Sequence, residues 1–208
     1  FYKFISHNST KTNYIHSYMD KSKINGLAQA ILENESRQLN IVAKQIDDDI
    51  VKASELIMDN NGKLVICGLG KSGLIGQKIV ATLCSTGTKS VFVHAAEALH
   101  GDLGIYNPGD PTLLISKSGN TEELVRLIPI LREFQSPLIA LVGNMDSYMA
   151  KNADIVLNGT IESEVDPLGI VPTTSALVAL AIGDALASVL MVRRGFNAED
   201  FARYHPGG

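Results

Sequence analysis

Leu64-Val65-Ile66-Cys67-Gly68-Leu69-Gly70-Lys71-Ser72-Gly73 runs from an apolar strand pattern through a glycine-rich turn into a helical pattern. Such a turn is where an α/β protein commonly holds phosphate, because the first N–H groups of a helix have no partner within it. Gly68, Gly70 and Gly73 satisfy G-x-G-x-x-G, and Gly70-Lys71-Ser72 reproduces the end of a P-loop. A P-loop, however, needs glycine where this chain has Val65, inside the strand. A dinucleotide fingerprint needs an acidic residue at the end of the second strand, which here reads Val93-His94-Ala95, with Glu97 too late. The glycines alone are equally compatible with a tight turn and close helix packing.

Working outward, short apolar runs alternate with helical stretches. The runs are Leu64–Cys67, Val91–Val93, Thr112–Ile115, Leu138–Val142 and Ile155–Leu157, and helices are predicted near 72–86, 121–135, 147–152 and 174–194. Strands apolar at successive positions are buried on both faces, which predicts a three-layer α/β/α sandwich around a five-stranded parallel sheet. Helical spacing of Ile31, Leu39, Val42, Ile46 and Ile50 predicts one or two N-terminal helices ahead of the sheet. The expected organisation is an extension over 1–23, a helical segment packing on the core over 24–60, the α/β/α core over 61–195, and a tail over 196–208.

With 208 residues, 45% of them hydrophobic, the chain can bury a full core. Cys67 and Cys84 read as small core residues rather than a disulfide framework, favouring a reducing, cytoplasmic setting. A net charge of -4 without a basic block argues against nucleic-acid and anionic-membrane partners. The first 20 residues are not expected to act as a signal peptide, and Ala176–Val192, interrupted by Gly183 and Asp184, reads as a buried central helix rather than a span.

The loop after the third strand narrows the function. Ser116-Lys117-Ser118-Gly119-Asn120-Thr121-Glu122-Glu123 places three hydroxyls and a lysine ahead of a helix, a cradle suited to a phosphate monoester. Ordinary helix capping would need only one of these residues.

Strand, Gly-x-Gly-Lys-Ser-Gly, a second strand, then Ser-x-Ser-Gly-x-Thr opening a helix resembles the sugar isomerase (SIS) domain. His94-Ala95-Ala96-Glu97-Ala98-Leu99-His100-Gly101-Asp102-Leu103-Gly104, Pro167-Leu168-Gly169, Pro172-Thr173-Thr174-Ser175, Gly183-Asp184-Ala185-Leu186-Ala187, Arg194-Gly195-Phe196, Ala198-Glu199-Asp200-Phe201 and His205-Pro206-Gly207-Gly208 resemble the D-arabinose 5-phosphate isomerases within it, over about residues 35–208. That resemblance implies an aldose-ketose isomerase interconverting D-arabinose 5-phosphate and D-ribulose 5-phosphate for Kdo synthesis. It also implies a homotetramer with shared active sites and no metal or redox cofactor. Long relatives continue past His-Pro-Gly-Gly into a tandem CBS module, which this chain is expected to lack. Alternatives are another SIS isomerase, such as a 3-hexulose 6-phosphate isomerase, and a non-catalytic sugar-phosphate sensor.

Such an isomerisation needs a carboxylate to shuttle a proton, a histidine to open the sugar ring, and a cation or dipoles to hold the enediolate. Composition does not separate Glu162, Glu164 and Asp166 as the shuttle. The resemblance selects Glu164, three residues before Pro167-Leu168-Gly169. It likewise implies Lys71 as charge stabiliser, with His100, Glu123 and His205 completing the catalytic set. Ser72, Ser116, Ser118 and Thr121 would hold the phosphate, and Gly70, Lys117, Gly119 and Asn120 would be further substrate-binding positions. Lys117 departs from relatives, which commonly carry a neutral amide there. His94, Glu97 and His100 do not cluster for a metal if placed on one regular helix.

Overall fold

The five apolar runs become five parallel strands: β1 (Leu64–Gly68), β2 (Ser90–His94), β3 (Thr112–Ser116), β4 (Leu138–Val142) and β5 (Ile155–Asn158), ordered β2-β1-β3-β4-β5. The computed structural model describes residues 20–207. Residues 1–19 of the expected extension and Gly208 of the tail therefore lie outside the described residues, and the remainder of the extension opens α1 (Lys21–Ala43) rather than preceding it.

The chain divides into two units, Phe1–Arg37 and Gln38–Gly208. In the first, Asp20 accepts a bond from the Lys23 N–H at 2.9 Å, and Ile24, Leu27 and Leu32 are exposed. In the second, α2 (Asp48–Asp59) is capped by Asp47, whose side chain accepts from the Asp49 N–H. Asn60 and Gly62 end the helical run where the turn residues predict it.

Strand alternation sends neighbouring residues to opposite faces. Leu64, Ile66, Leu113, Ile115, Ile139 and Leu141 join Ile57 of α2, Ile79 and Leu83 of α3 (Gly70–Ser85), and Ile182 and Leu186 of α7 (Thr174–Arg193). Val65, Cys67, Leu114, Ala140 and Val142 face α4 (Ala95–Ala98), α5 (Glu122–Glu133) and Met149 of α6 (Tyr148–Asn152). Only β1, β3 and β4 are buried throughout; β2 and β5 lie at the sheet edges and are partly open.

Three expectations change. Cys67 is buried, and burial pushes its thiol up to about 12, but Cys84 lies on the exposed side of α3. His94 ends β2 and α4 covers only Ala95–Ala98, so His94 and His100 do not share a helix. The tail holds a helix that periodicity missed, α8 (Ala198–Tyr204), opened by a capping box in which Asn197 and Asp200 each accept the other's backbone N–H.

Helix α7 is long and apolar enough to cross a membrane by length and composition. Here one face is buried through Val178, Ile182, Leu186 and Leu190, while Val192 is exposed. Gly183 permits the close approach of α7 to α3: a Cβ there would collide with the side chain of Ile79, which is fully buried. Gly183→Ala is therefore expected to cost about 1–3 kcal/mol by overpacking, and Ile79→Val should recover part of that loss in the double variant. Strictly additive losses in thermal unfolding would show that the two positions are uncoupled.

Candidate active site

The strand order reverses between β1 and β3, the switch point at which an open α/β sheet leaves a crevice beyond its carboxyl edge. Gly68 pairs with Ile115, so the two loops singled out in the sequence emerge side by side. Both lead into helices whose first residues receive no side-chain cap: Leu69 precedes α3 and Thr121 precedes α5. Their opening N–H groups are not capped by those side chains.

In the second loop the hydroxyls bond among themselves. Ser116 Oγ lies 2.8 Å from Thr121 Oγ1 and 3.4 Å from Ser118 Oγ, and it accepts the Gly119 N–H at 3.0 Å. Ser118 Oγ accepts the Asn120 N–H at 3.2 Å. Gly119 adopts φ 64°, where a side chain is strained, and a Cβ would also collide with Ser147. Its carbonyl accepts the Met149 N–H at 3.0 Å, and Asn120 Oδ1 accepts the Tyr148 N–H at 2.9 Å. The cradle is thus bound to the start of α6. In the first loop, Gly70 has φ 56° and turns the chain into α3, placing Lys71 and Ser72 in its first turn.

A pocket gathers these elements: Lys71 and Ser72 from α3, Ser116 and Lys117 from the end of β3, Gly143 after β4, and Pro172 and Ser175 at the start of α7. Thr121 and Ser118 do not line this pocket themselves, but their hydroxyls lie within hydrogen-bond distance of Ser116, which does. The three acidic candidates, inseparable by composition, have separate surroundings. Glu162 accepts from Gln38 Nε2 at 2.9 Å, and Asp166 accepts the N–H groups of Leu168 and Val171. Glu164 instead engages two residues that line the pocket, Lys117 and Ser175; its side chain is 1% exposed and Oε1 lies 2.7 Å from Lys117 Nζ.

Glu164 also closes the start of α7. Oε2 accepts the N–H groups of Thr173 and Ser175, each at 3.0 Å, and the Thr173 hydroxyl at 3.2 Å, while the Ser175 hydroxyl donates to Oε1. Burial pushes this carboxyl up, but Lys117, the Ser175 hydroxyl and the two N–H groups outweigh burial and hold it at about 2, below the ordinary 4.5. These surroundings therefore do not give Glu164 the raised proton affinity expected of a shuttle. Thr173 and Ser175 stand in the sequence motif without an assigned role; a hydroxyl-rich start to the most apolar helix is the signal that marks them.

The remaining candidates are not drawn into the pocket. His100 is exposed after α4, and Glu123 is half-buried in the first turn of α5. His205 is the residue closing α8, its Nδ1 2.9 Å from the Phe201 carbonyl and its ring stacked on Phe201 at 3.8 Å. A separate depression lies between Lys71, Leu74 and His94, whose buried Nδ1 has no partner. Among the described residues no three His, Cys, Asp or Glu side chains gather as a metal site.

The depressed affinity of Glu164 has a sign that can be tested. Its stabilising bonds are complete above pH 4.5 and are lost as pH falls toward about 2. Urea unfolding over that range should show a steeper acid loss for the unmodified protein than for Glu164→Gln, which at neutral pH should already be weaker by about 1–3 kcal/mol. Parallel pH dependences would remove the carboxylate from its capping role.

The SIS domain family matches residues 56–189. A probable arabinose 5-phosphate isomerase of Haemophilus influenzae is 50% identical over 182 residues, covering 88% of this chain and 54% of that protein. An arabinose 5-phosphate isomerase of Pseudomonas aeruginosa is 46% identical over 181 residues, covering 87% and 56%. The chain spans about half the length of these curated relatives. A solved chain from Escherichia coli CFT073, in complex with arabinose 5-phosphate, superposes with a TM-score of 0.87 at 36% identity, covering 90% of this chain and all of that one. With the family pattern spanning the sheet and both loops of the crevice, the chain belongs to the SIS domain family.

Proposed function

We propose that the chain interconverts D-arabinose 5-phosphate and D-ribulose 5-phosphate through an enediolate, supplying Kdo synthesis in the cytoplasm. The observation that carries this reading is the hydroxyl cradle at an uncapped helix start, set beside one buried carboxylate that is paired with the cradle's own lysine. The names of the two curated relatives and the arabinose 5-phosphate complex of the Escherichia coli chain support the substrate.

In this reading Ser72, Ser116, Ser118 and Thr121 hold the phosphate, with the N–H groups of the α5 start, and Gly70, Gly119 and Asn120 shape its surroundings. Glu164 takes the proton from C2 of the open aldose, electrons move to the C1 oxygen, and Lys71 stabilises the resulting enediolate. Return of that proton to C1, with the O2 proton lost and the O1 proton gained, yields the ketose. Glu123 and His100 complete the site on the family resemblance. His205 opens the ring from a neighbouring chain, as the family resemblance implies; within its own chain the imidazole is stacked on Phe201. A homotetramer with shared sites is supported by the apolar loop after Glu164, where Leu168 is 75% and Ile170 70% exposed.

Incubation with arabinose 5-phosphate in D2O, followed by proton NMR, should give ketose with deuterium at carbon. Binding without exchange would indicate a sensor, and turnover of a hexulose phosphate alone would indicate a different isomerase. Glu164→Gln should lose about 10²–10⁴-fold in kcat. Ser116→Ala should chiefly raise KM, by about 10-fold or more. Mixing Glu164→Gln with His205→Ala chains should restore part of the activity; no complementation despite subunit exchange would place His205 in its own chain's site.

A further inference from the structure

The carboxylate assigned as proton shuttle is already paired with Lys117, an expected substrate-binding residue to which the proposed chemical steps give no part. We infer that Lys117 is a positioning residue that holds Glu164 in a resting ion pair and moves to the substrate phosphate on binding, so that Glu164 becomes a competent base only in the complex. The inference rests on the isomerase reading for its purpose, and on the hydroxyl cradle for its trigger.

The two ends of the pair differ in freedom. Glu164 is fixed by the start of α7 and is 1% exposed, whereas the Lys117 side chain is 46% exposed. The Lys117 carbonyl is held by the Gly143 N–H at 3.0 Å, so the backbone stays in place while the side chain can swing. Lys117 also lies between Ser116 and Ser118, whose hydroxyls are 3.4 Å apart in the cradle. An anion held there lies beside the residue's own backbone. A bound phosphate monoester carries about -1.5 to -2 charges at pH 7, against one on the carboxylate, and so competes for the ammonium.

Departure of Lys117 takes away the cation that pairs with the Glu164 carboxylate. The groups that remain around it are the N–H and hydroxyl donors of Thr173 and Ser175, with Lys71 lining the adjoining pocket. The neighbouring acids face elsewhere: Glu162 engages Gln38, and Asp166 engages Leu168 and Val171. Burial then acts on a carboxylate with fewer opposing interactions, and its proton affinity rises. Phosphate at one end of the substrate thus prepares the base for the other end, and a sugar without phosphate leaves the base in its resting pair.

Carbon-13 NMR of glutamate carboxyls tests this without turnover, the Glu164 signal being the one absent from Glu164→Gln. Sulfate serves as the probe, because it stays a tetrahedral dianion to much lower pH than a phosphate monoester does. In the free protein, Glu164 should stay ionised down to about pH 3, since its carboxyl is held at about 2. With sulfate bound it should titrate more than one pH unit higher. Lys117→Gln should raise the midpoint in the free protein and abolish its response to sulfate, and Lys117→Arg should restore the resting state. An unchanged Glu164 titration with sulfate bound overturns the handover, as does a Lys117→Gln protein that titrates like the original. Sulfate that fails to bind the cradle defeats both the handover and the phosphate site. Absence of deuterium exchange with arabinose 5-phosphate, alongside an intact sulfate response, defeats the isomerase reading alone.

Discussion

Parallel pairing of β1 with β3 is the constraint from which the site follows. It sends the connections on either side of that junction in opposite directions and leaves a crevice that neither helix layer fills. Gly68 and Ser116 end their strands at adjacent positions of this edge, so the turn that enters α3 and the turn that enters α5 open onto one space. The register that buries Leu64, Ile66, Leu113 and Ile115 on one face also brings Lys71 and Ser72 toward Ser116. Core packing and site geometry are therefore specified by the same alternation.

Glu164 ties that edge to the longest apolar element. A 20-residue helix begins with N–H groups that need an acceptor, and the carboxylate supplies it from nine and eleven residues upstream. The same carboxylate meets the lysine of the cradle. A residue suited to proton transfer is thus also a structural cap, which keeps its position accurate but its proton affinity low. On the function proposed above, fold stability and chemical readiness make opposite demands on Glu164, and Lys117, its exposed partner, is the member through which we propose that conflict is relieved.

The central strands and principal helices were legible because burial on both faces leaves an uninterrupted apolar run, as in Leu138–Val142, and because the intervening helices show a clear period. Edge strand β2 was found despite its partial exposure, since Val91-Phe92-Val93 is strongly strand-forming. Helix α8 is short and was missed, although Asn197 followed by Asp200 carried its capping signal. The hydroxyl loop was readable as a cradle from residue types alone. The pairing of Lys117 with Glu164 was not, because it joins positions 47 residues apart through a contact that no local pattern encodes. The segregation of Glu162, Glu164 and Asp166 had the same obstacle: each finds its partners through the folded chain rather than through local spacing.

The bonds that tie Gly119 and Asn120 to the start of α6 bear on the entropy of binding. A loop already held by the Met149 and Tyr148 N–H groups, with Ser147 seated against Gly119, has little backbone freedom left to lose when an anion arrives. Ordering then falls mainly on flexible side chains, of which Lys117 is one, at about 0.5–1.5 kcal/mol for each that is immobilised. On the phosphate-binding role proposed for this loop, affinity depends on the stiffness of the α6 junction as well as on the hydroxyls, so loosening Ser147, which packs against Gly119, would weaken anion capture.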